Sequence, residues 1–253
     1  KANSSHIGSM FSCIDLISVL YTKILNIDPL DPENPSRDFF LQSKGHAGAA
    51  LYAALSKLNF FDEKLLQTYY QNGSKLGGHI SHKEIPGVEI STGSLGHALS
   101  IGAGISLELK NKKRDNKVFV LLSDGELDEG SNWEAILFSN HHKLKNLTII
   151  IDYNKLQSIR SISETLELEP LDKKFLSFGW EVSTIDGHNF IEIEKALAKV
   201  NNKPHVIIAN TIKGKGVSFM ENSVLWHYRS AQNDEYKMAL REIENSVKSR
   251  EDN

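Results

Sequence analysis

Two apolar runs, each ending on an oxygen-bearing side chain and separated by a helix-length segment, constrain this chain more than any other feature. Residues 118–130 read VFVLLSDGELDEG and residues 149–155 read IIIDYNK. Each run has the branched, nearly continuous apolar character of a strand buried on both faces. Residues 131–144 between them suffice for a crossover helix, so the strands are expected to be parallel and joined by a right-handed connection. Both strand ends then reach the same sheet edge, where open α/β sheets bind their ligands. Asp124 closes the first strand and Asn154 the second, beside the bare backbone of Gly125. A carboxylate and a carboxamide oxygen at neighbouring tips suit a small hard cation that holds a phosphate group.

The rest of the chain alternates in the same way. Helical spacing marks residues 10–25 through Met10, Ile14, Ile17, Leu20, Tyr21 and Ile24. A proline-rich loop, a short strand at 39–41 and an alanine-rich helix at 47–58 follow, then a further helix at 62–71. Residues 73–92, rich in Gly and His, read as a long loop, and such loops are usually functional. A helix at 95–109 contains Gly96, Gly102 and Gly104, which would let another element approach closely. Beyond the central unit come a helix at 172–178, a strand at 180–185, a helix at 189–200, a strand at 205–211 and an amphipathic helix at 234–248. This order predicts an α/β fold, a mostly parallel central sheet with helices on both faces, in one domain over 1–253.

With 253 residues, 40% of them hydrophobic, the chain can bury a sizeable core. Its net charge of −3 is spread along the sequence, which argues against a nucleic-acid or anionic-membrane partner. No stretch is expected to span a membrane, and no signal peptide is visible. The single cysteine, Cys13, excludes an intramolecular disulfide framework, and a reducing cytoplasmic setting is expected.

Ten histidines are present. His6, His46, His97 and His188 sit where a loop hands over to a helix, His79 lies in the long loop, and His227 follows the last strand. His46, His79, His97 and His188 each follow a glycine, which lets the backbone turn while the imidazole projects. Any one of these could be an ordinary loop residue, but four or more of them fall on the sheet edge of Asp124 and Asn154, and imidazoles suit proton transfer near neutral pH. His82, His141, His142 and His205 are assigned structural roles. Neither HExxH nor paired cysteines, GxGxxG after a strand, or a P-loop occurs, so zinc and dinucleotide sites are disfavoured. The loop Lys213-Gly214-Lys215-Gly216 is either a solvated basic turn or a source of one ammonium near a diphosphate.

Asp124-Gly125, Glu129 five residues after the aspartate and Asn154 thirty after it resemble the metal and diphosphate motif of thiamine diphosphate enzymes. Further segments narrow this to transketolase: NSSHIGS at 3–9, SKGHA at 43–47, GGH at 77–79, PGVEISTGSLGH at 86–97 and TIKGKG at 211–216, in the family's order. The resemblance runs from residue 2 to about residue 230. It implies the thiamine diphosphate-binding fold of the diphosphate-holding (PP) type. It also implies that Asp124, Asn154 and the Leu156 carbonyl bind Mg²⁺ or Ca²⁺, with the Gly125 N–H on the diphosphate. Gly93 and Leu95 would meet the cofactor rings, with Lys44, His46 and Lys213 near the cofactor and its phosphates. Glu129 would link the two active centres across the subunit contact. His6, His79 and His227, with Ser9, would face a donor ketose, the histidines hydrogen-bonding its hydroxyls and moving protons.

The implied reaction transfers a two-carbon glycolaldehyde unit from a ketose, free or phosphorylated, to an aldose. Only the first of the family's three domains is matched, so the resemblance implies the N-terminal subunit of a split, two-gene transketolase. Its partner would bring the pyrimidine-binding domain with its catalytic glutamate, in a heterotetramer in which the glycine-rich helix is a contact surface. An α subunit of a 2-oxo acid decarboxylating enzyme and a non-catalytic sugar-binding relic are the competing readings. Three departures stand out. Ser123 replaces a usual Gly, His97 a frequent Gln, and Tyr228-Arg229 a usual small Gly and Lys, the last pointing to a specialised sugar.

Overall fold

The computed structural model describes residues 2–251 apart from Glu84. Five strands, β1 (Phe39–Gln42), β2 (Val118–Ser123), β3 (Leu147–Tyr153), β4 (Glu181–Asp186) and β5 (His205–Asn210), form one sheet in the order β1-β2-β3-β5-β4. Every adjacent pair is parallel. The register pairs Val120 with Ile149 and Ser123 with Asp152, so β2 and β3 end side by side as the sequence requires.

Alternation along each strand sorts the core into two layers. Phe119, Leu121, Ile150 and Ile207 point to one face, where they meet α1 (Ile7–Val19), α2 (Gly48–Lys57) and α7 (Phe190–Leu197). Val118, Val120, Ile149, Ile151 and Val206 point to the other, against α3 (Ala98–Asn111), α4 (Gly130–His141) and α6 (Leu171–Ser177). The chain thus leaves β1 toward one face and β2 toward the other. Such a divergence opens a crevice at the carboxyl ends of the strands. A smaller cluster of Val217, Met220, Trp226 and Ala239 seats the C-terminal helix α8 (Asn233–Glu251) near the start of α1.

Several expectations need correction. The helix expected at 95–109 begins only at Ala98, because Gly96 takes a left-handed φ of 83° that ends the preceding turn outside the helix. Within α3, Gly102 does admit a close approach: a Cβ there would lie 2.7 Å from Val120 Cγ2. Gly104 faces open space. The helix expected at 62–71 is a 3₁₀ segment, Glu63–Thr68, started by the Asp62 side chain accepting from the Lys64 N–H. A one-turn helix at Ile162–Thr165 (α5), held by a capping box between Ser161 and Glu164, was not anticipated. Contrary to expectation, Ile7–Ile24 is long and apolar enough to cross a membrane by length and composition. Over half of it is buried within the fold, as in a core helix.

Ile150 lies at the centre of the sheet, 1% exposed. Ile150→Ala is expected to lower unfolding free energy by about 2–5 kcal/mol, measured by denaturant titration, because the flanking layers cannot collapse into the void.

Candidate active site

A pocket of about 210 Å³ opens over the carboxyl ends of β1, β2, β3 and β5. The start of α1 contributes His6 and Ser9, and the turn after β1 contributes Lys44 and His46. His79, Gly93 and Leu95 come from the long loop, and Asp124 and Gly125 from the end of β2. Asn154 and Leu156 follow β3, Lys213 follows β5, and His227 closes the ring. A larger groove of about 560 Å³ lies on the other side of the 154–156 turn, lined by Ser161, Glu167 and Glu169. It holds none of the histidines, so the smaller pocket is where the reactive groups gather.

The floor of the pocket is a network of oxygens. Asp124 Oδ1 accepts from the Gly125 N–H at 2.7 Å and Oδ2 from the Lys155 N–H at 2.6 Å. Asn154 Oδ1 accepts from the Leu156 N–H at 3.0 Å, and its Nδ2 donates to Ser12 Oγ at 3.1 Å. Burial, then the nearby Asp152 carboxylate, push the Asp124 carboxyl up to about 7. Among the described residues no cation forms an ion pair with Asp124. A buried carboxylate beside a carboxamide oxygen and a carbonyl is a donor set that fits a divalent ion with a hard oxygen preference. Among the described residues no group of three His, Cys, Asp or Glu side chains is arranged to hold a metal ion. An ion here would therefore draw on mixed side-chain and backbone oxygens.

Both lysines are engaged. Lys44 Nζ pairs with Asp152, and Ser12 Oγ and Thr211 Oγ1 donate to the same carboxylate. Burial by itself would lower the Lys44 pKa, but Asp152 holds it above the ordinary lysine value. Lys213 Nζ donates to the carbonyls of Leu156 at 3.1 Å and Gln157 at 3.0 Å. Burial, then the charge of Lys44, bring Lys213 down to about 8. The Leu156 carbonyl, expected to face a metal, thus accepts from an ammonium in this structure.

Four imidazoles form the opposite wall. The His6 ring centroid lies 5.2 Å from that of His46, 6.0 Å from His79 and 4.8 Å from His227. Backbone geometry fixes His6 in place. It has a left-handed φ of 75° at the N-cap of α1, and its N–H donates to the His227 carbonyl at 3.0 Å. Burial first and neighbouring positive charge second depress three of these rings: His6 to about 4, His227 to about 3, and His46 well below its usual value. His6, His46 and His227 are therefore neutral at physiological pH. His227 Nδ1 is buried with no hydrogen-bond partner among the described residues.

Of the expected site residues, Glu129 alone falls outside the pocket lining; it is exposed at the N-cap of α4, against Gly96. His97 and His188 do not join the imidazole wall. His97 is exposed and its Nδ1 contacts the Leu95 carbonyl. His188 bridges Asp15 on α1 (2.8 Å) and the Ile212 N–H (2.9 Å). His205 does take a structural place, with Nε2 2.9 Å from Ser183 Oγ. Gln157 and Ser158, which line the pocket, were missed. So was Asp152, although an acid inside IIIDYNK, a run otherwise fit for a core strand, was a visible signal.

Comparison with known proteins places this geometry. The profile of the family described as "Transketolase, thiamine diphosphate binding domain" matches residues 1–244. The sequence is 42% identical to a protein of Actinobacillus succinogenes named as one of the subunits of apulose-4-phosphate transketolase, over 96% of this chain and 90% of that protein. It is 38% identical to the 6-deoxy-6-sulfo-D-fructose transketolase subunit SqwG of a Clostridium species, over 96% of this chain and 90% of that one. The crystal structure of transketolase from Campylobacter jejuni superposes with a TM-score of 0.85 at 29% identity, covering 94% of this chain but 42% of that one. The chain therefore spans less than half the length of that single-chain protein.

The depressed histidines carry a pH signature. As pH falls through 6.5 the unfolded chain protonates His227, while the folded chain does not until near 3, so folded stability is lost across that window. His227→Asn is expected to lose less stability than the unaltered protein between pH 6.5 and 4, by roughly 1–2 kcal/mol after allowance for solvent screening, measured by denaturant titration at each pH.

Proposed function

The chain belongs to the transketolase family, as a transketolase-type enzyme subunit carrying its thiamine diphosphate-binding domain, and on that premise we propose that it serves ketol transfer. The reaction would move a two-carbon glycolaldehyde unit from a ketose to an aldose. One observation carries this reading: a single pocket holds a buried carboxylate, without an ion pair among the described residues, beside amide and carbonyl oxygens on one side and imidazoles on the other.

Asp124, Asn154 and the Leu156 carbonyl would hold Mg²⁺ or Ca²⁺, with Gly125 and Lys213 on the diphosphate side. Gly93, Leu95, Lys44 and His46 would border the cofactor rings and phosphates. Thiamine diphosphate, when bound, supplies the carbon nucleophile and electron sink that ketose cleavage requires. The protein's own work is at the sugar. His6, His79 and His227, beside Ser9, would accept hydrogen bonds from sugar hydroxyls, and a neutral imidazole can take a proton from such a hydroxyl and return it. General acid–base help of this kind is worth about 10²–10⁴ in rate.

We assign the pyrimidine-binding domain and its catalytic glutamate to a partner subunit, in an assembly of two copies of each, in the cytoplasm. Two relatives of nearly this length are themselves named as single subunits of an apulose-4-phosphate transketolase. In this reading the described chain is one diphosphate-binding unit, with Glu129 and the exposed side of α3 toward the subunit contact. The donor is a specialised ketose. The ring of the exposed Tyr228 packs on His227 at 5.1 Å, where a small residue was expected from the family pattern. The relatives named for apulose 4-phosphate and sulfofructose point the same way.

The test is two-carbon transfer by the complex of this chain with its partner, supplied with thiamine diphosphate and Mg²⁺. Transfer between a modified ketose and an aldose should exceed the rate with xylulose 5-phosphate and ribose 5-phosphate by about tenfold, the scale of one 1.4 kcal/mol contact. Asp124→Ala should lower transfer at least about 100-fold and abolish Mg²⁺-dependent binding of thiamine diphosphate, followed by calorimetry. Release of CO₂ from a 2-oxo acid with no transfer would overturn the reading.

A further inference from the structure

Glu126 is absent from the pocket lining, yet three of the segments that build the pocket converge on it. Its side chain is 0% exposed. Ser43 Oγ donates to Oε1, the Gly96 N–H donates to the same oxygen at 2.8 Å, and the Ser123 N–H donates to Oε2 at 3.2 Å. Its own carbonyl accepts from Asn132 Nδ2 at 2.6 Å, which fixes it to the first turn of α4. Ser131 Oγ donates to the Gly96 carbonyl at 2.7 Å, so Gly96 is held from both sides.

Each of these donors adjoins residues that face the pocket. Ser43 precedes Lys44 and His46, Gly96 follows Leu95, and Ser123 precedes Asp124. The crevice lies where the chain departs from β1 and β2 toward opposite faces, so no continuous element joins these tips beyond the last ladder bonds. A carboxylate accepting from all three segments supplies that join. No other side chain of this size could, because a carboxamide would turn a donor toward at least one N–H or hydroxyl. A buried acid without an ion-pair partner among the described residues is a costly way to fill space alone.

We propose that Glu126 is a positioning residue for cofactor binding, its carboxylate fixing the turn after β1, the 93–96 loop and the tip of β2 in mutual register. This rests on the thiamine diphosphate reading above. The consequence is specific: loss of the carboxylate should loosen the cradle for the cofactor while leaving the sheet intact. The chemistry, once the site is filled, should proceed nearly as before.

The experiment uses the complex of this chain with its partner subunit and compares Glu126→Gln, Ser43→Ala and the double variant. Three quantities are read: the apparent dissociation constant for thiamine diphosphate at fixed Mg²⁺, the thermal midpoint without cofactor, and kcat at saturating cofactor. Glu126→Gln should weaken cofactor binding about tenfold or more, and Ser43→Ala about three- to tenfold, as expected for losing buried charge-assisted hydrogen bonds. Their effects should combine less than multiplicatively, since both remove one shared contact, and kcat at saturation should stay within about threefold of the unaltered complex. Unchanged affinity in Glu126→Gln, losses that multiply in the double variant, or a loss of kcat that saturation does not restore would overturn the inference. Should Glu126→Gln fail to fold, unchanged affinity in Ser43→Ala overturns it alone. If the unaltered complex binds no thiamine diphosphate, the functional reading itself falls and this inference with it.

Discussion

A buried ion pair between Lys44 and Asp152 is the constraint on which the rest of the structure depends. Lys44 follows β1 and Asp152 lies in β3, so their contact passes beneath the end of β2. Neither has appreciable contact with solvent. Removing two charges from water is costly, and such a pair persists only when its remaining donors and acceptors are satisfied. Here Ser12 from α1 and Thr211 after β5 complete the shell of Asp152, and the Ser9 carbonyl lies 3.4 Å from Lys44 Nζ. The result joins α1, β1, β3 and the end of β5 at one point. Asn154, bonded to Ser12, and His6, on the same helix end as Ser9, take their positions from it.

The charges of the pocket follow from that arrangement. Lys44 pairs with Asp152, which leaves Asp124 as a second buried carboxylate without an ion-pair partner among the described residues. Burial, then the Asp152 charge, raise its pKa, and in the proposed reading a divalent ion would offset both. On the other wall, burial and nearby positive charge, that of Lys44 and Lys213 included, keep His6 and His227 deprotonated. Histidines held neutral can act as acceptors toward hydroxyls across the whole physiological pH range. The same lysines therefore serve both walls without themselves needing to touch a substrate.

Much of this was legible in the sequence because it is local. Strands β2, β3 and β5 are runs of branched apolar residues, and their alternation onto two faces leaves no other place for Asp124 and Asn154 than neighbouring tips. Gly-His pairs marked His46 and His79, which line the pocket, and equally His97 and His188, which do not. What separates His188 is a partner far along the chain, Asp15 on α1, and no local pattern records it. Asp152 and Glu126 were passed over for a related reason. Their donors lie on α1, after β1 and after β5, so their roles exist only once the sheet is assembled. The boundary of α3 failed differently: Leu95-Gly96 continues the apolar spacing, but the positive φ of Gly96 is a backbone fact that spacing does not encode.

The commitments of the nearby cations also set what this chain can distinguish. Lys44 is taken by Asp152, and Lys213 by two carbonyls. Arg229, next along from Tyr228, pairs with Glu235 on α8 and lies 4.7 Å from the centre of the Trp226 ring. None of the three presents an unengaged charge to the far end of a sugar. What remains for the sugar on this wall is a set of neutral acceptors suited to hydroxyls. In the proposed reading a tail group carrying phosphate or sulfonate would find its counter-charge on another surface, and this wall would discriminate between tails by shape. In the same reading Tyr228, whose ring packs against His227, is the side chain that would do so, which would set selectivity at the rim of the pocket and leave its floor to the cofactor.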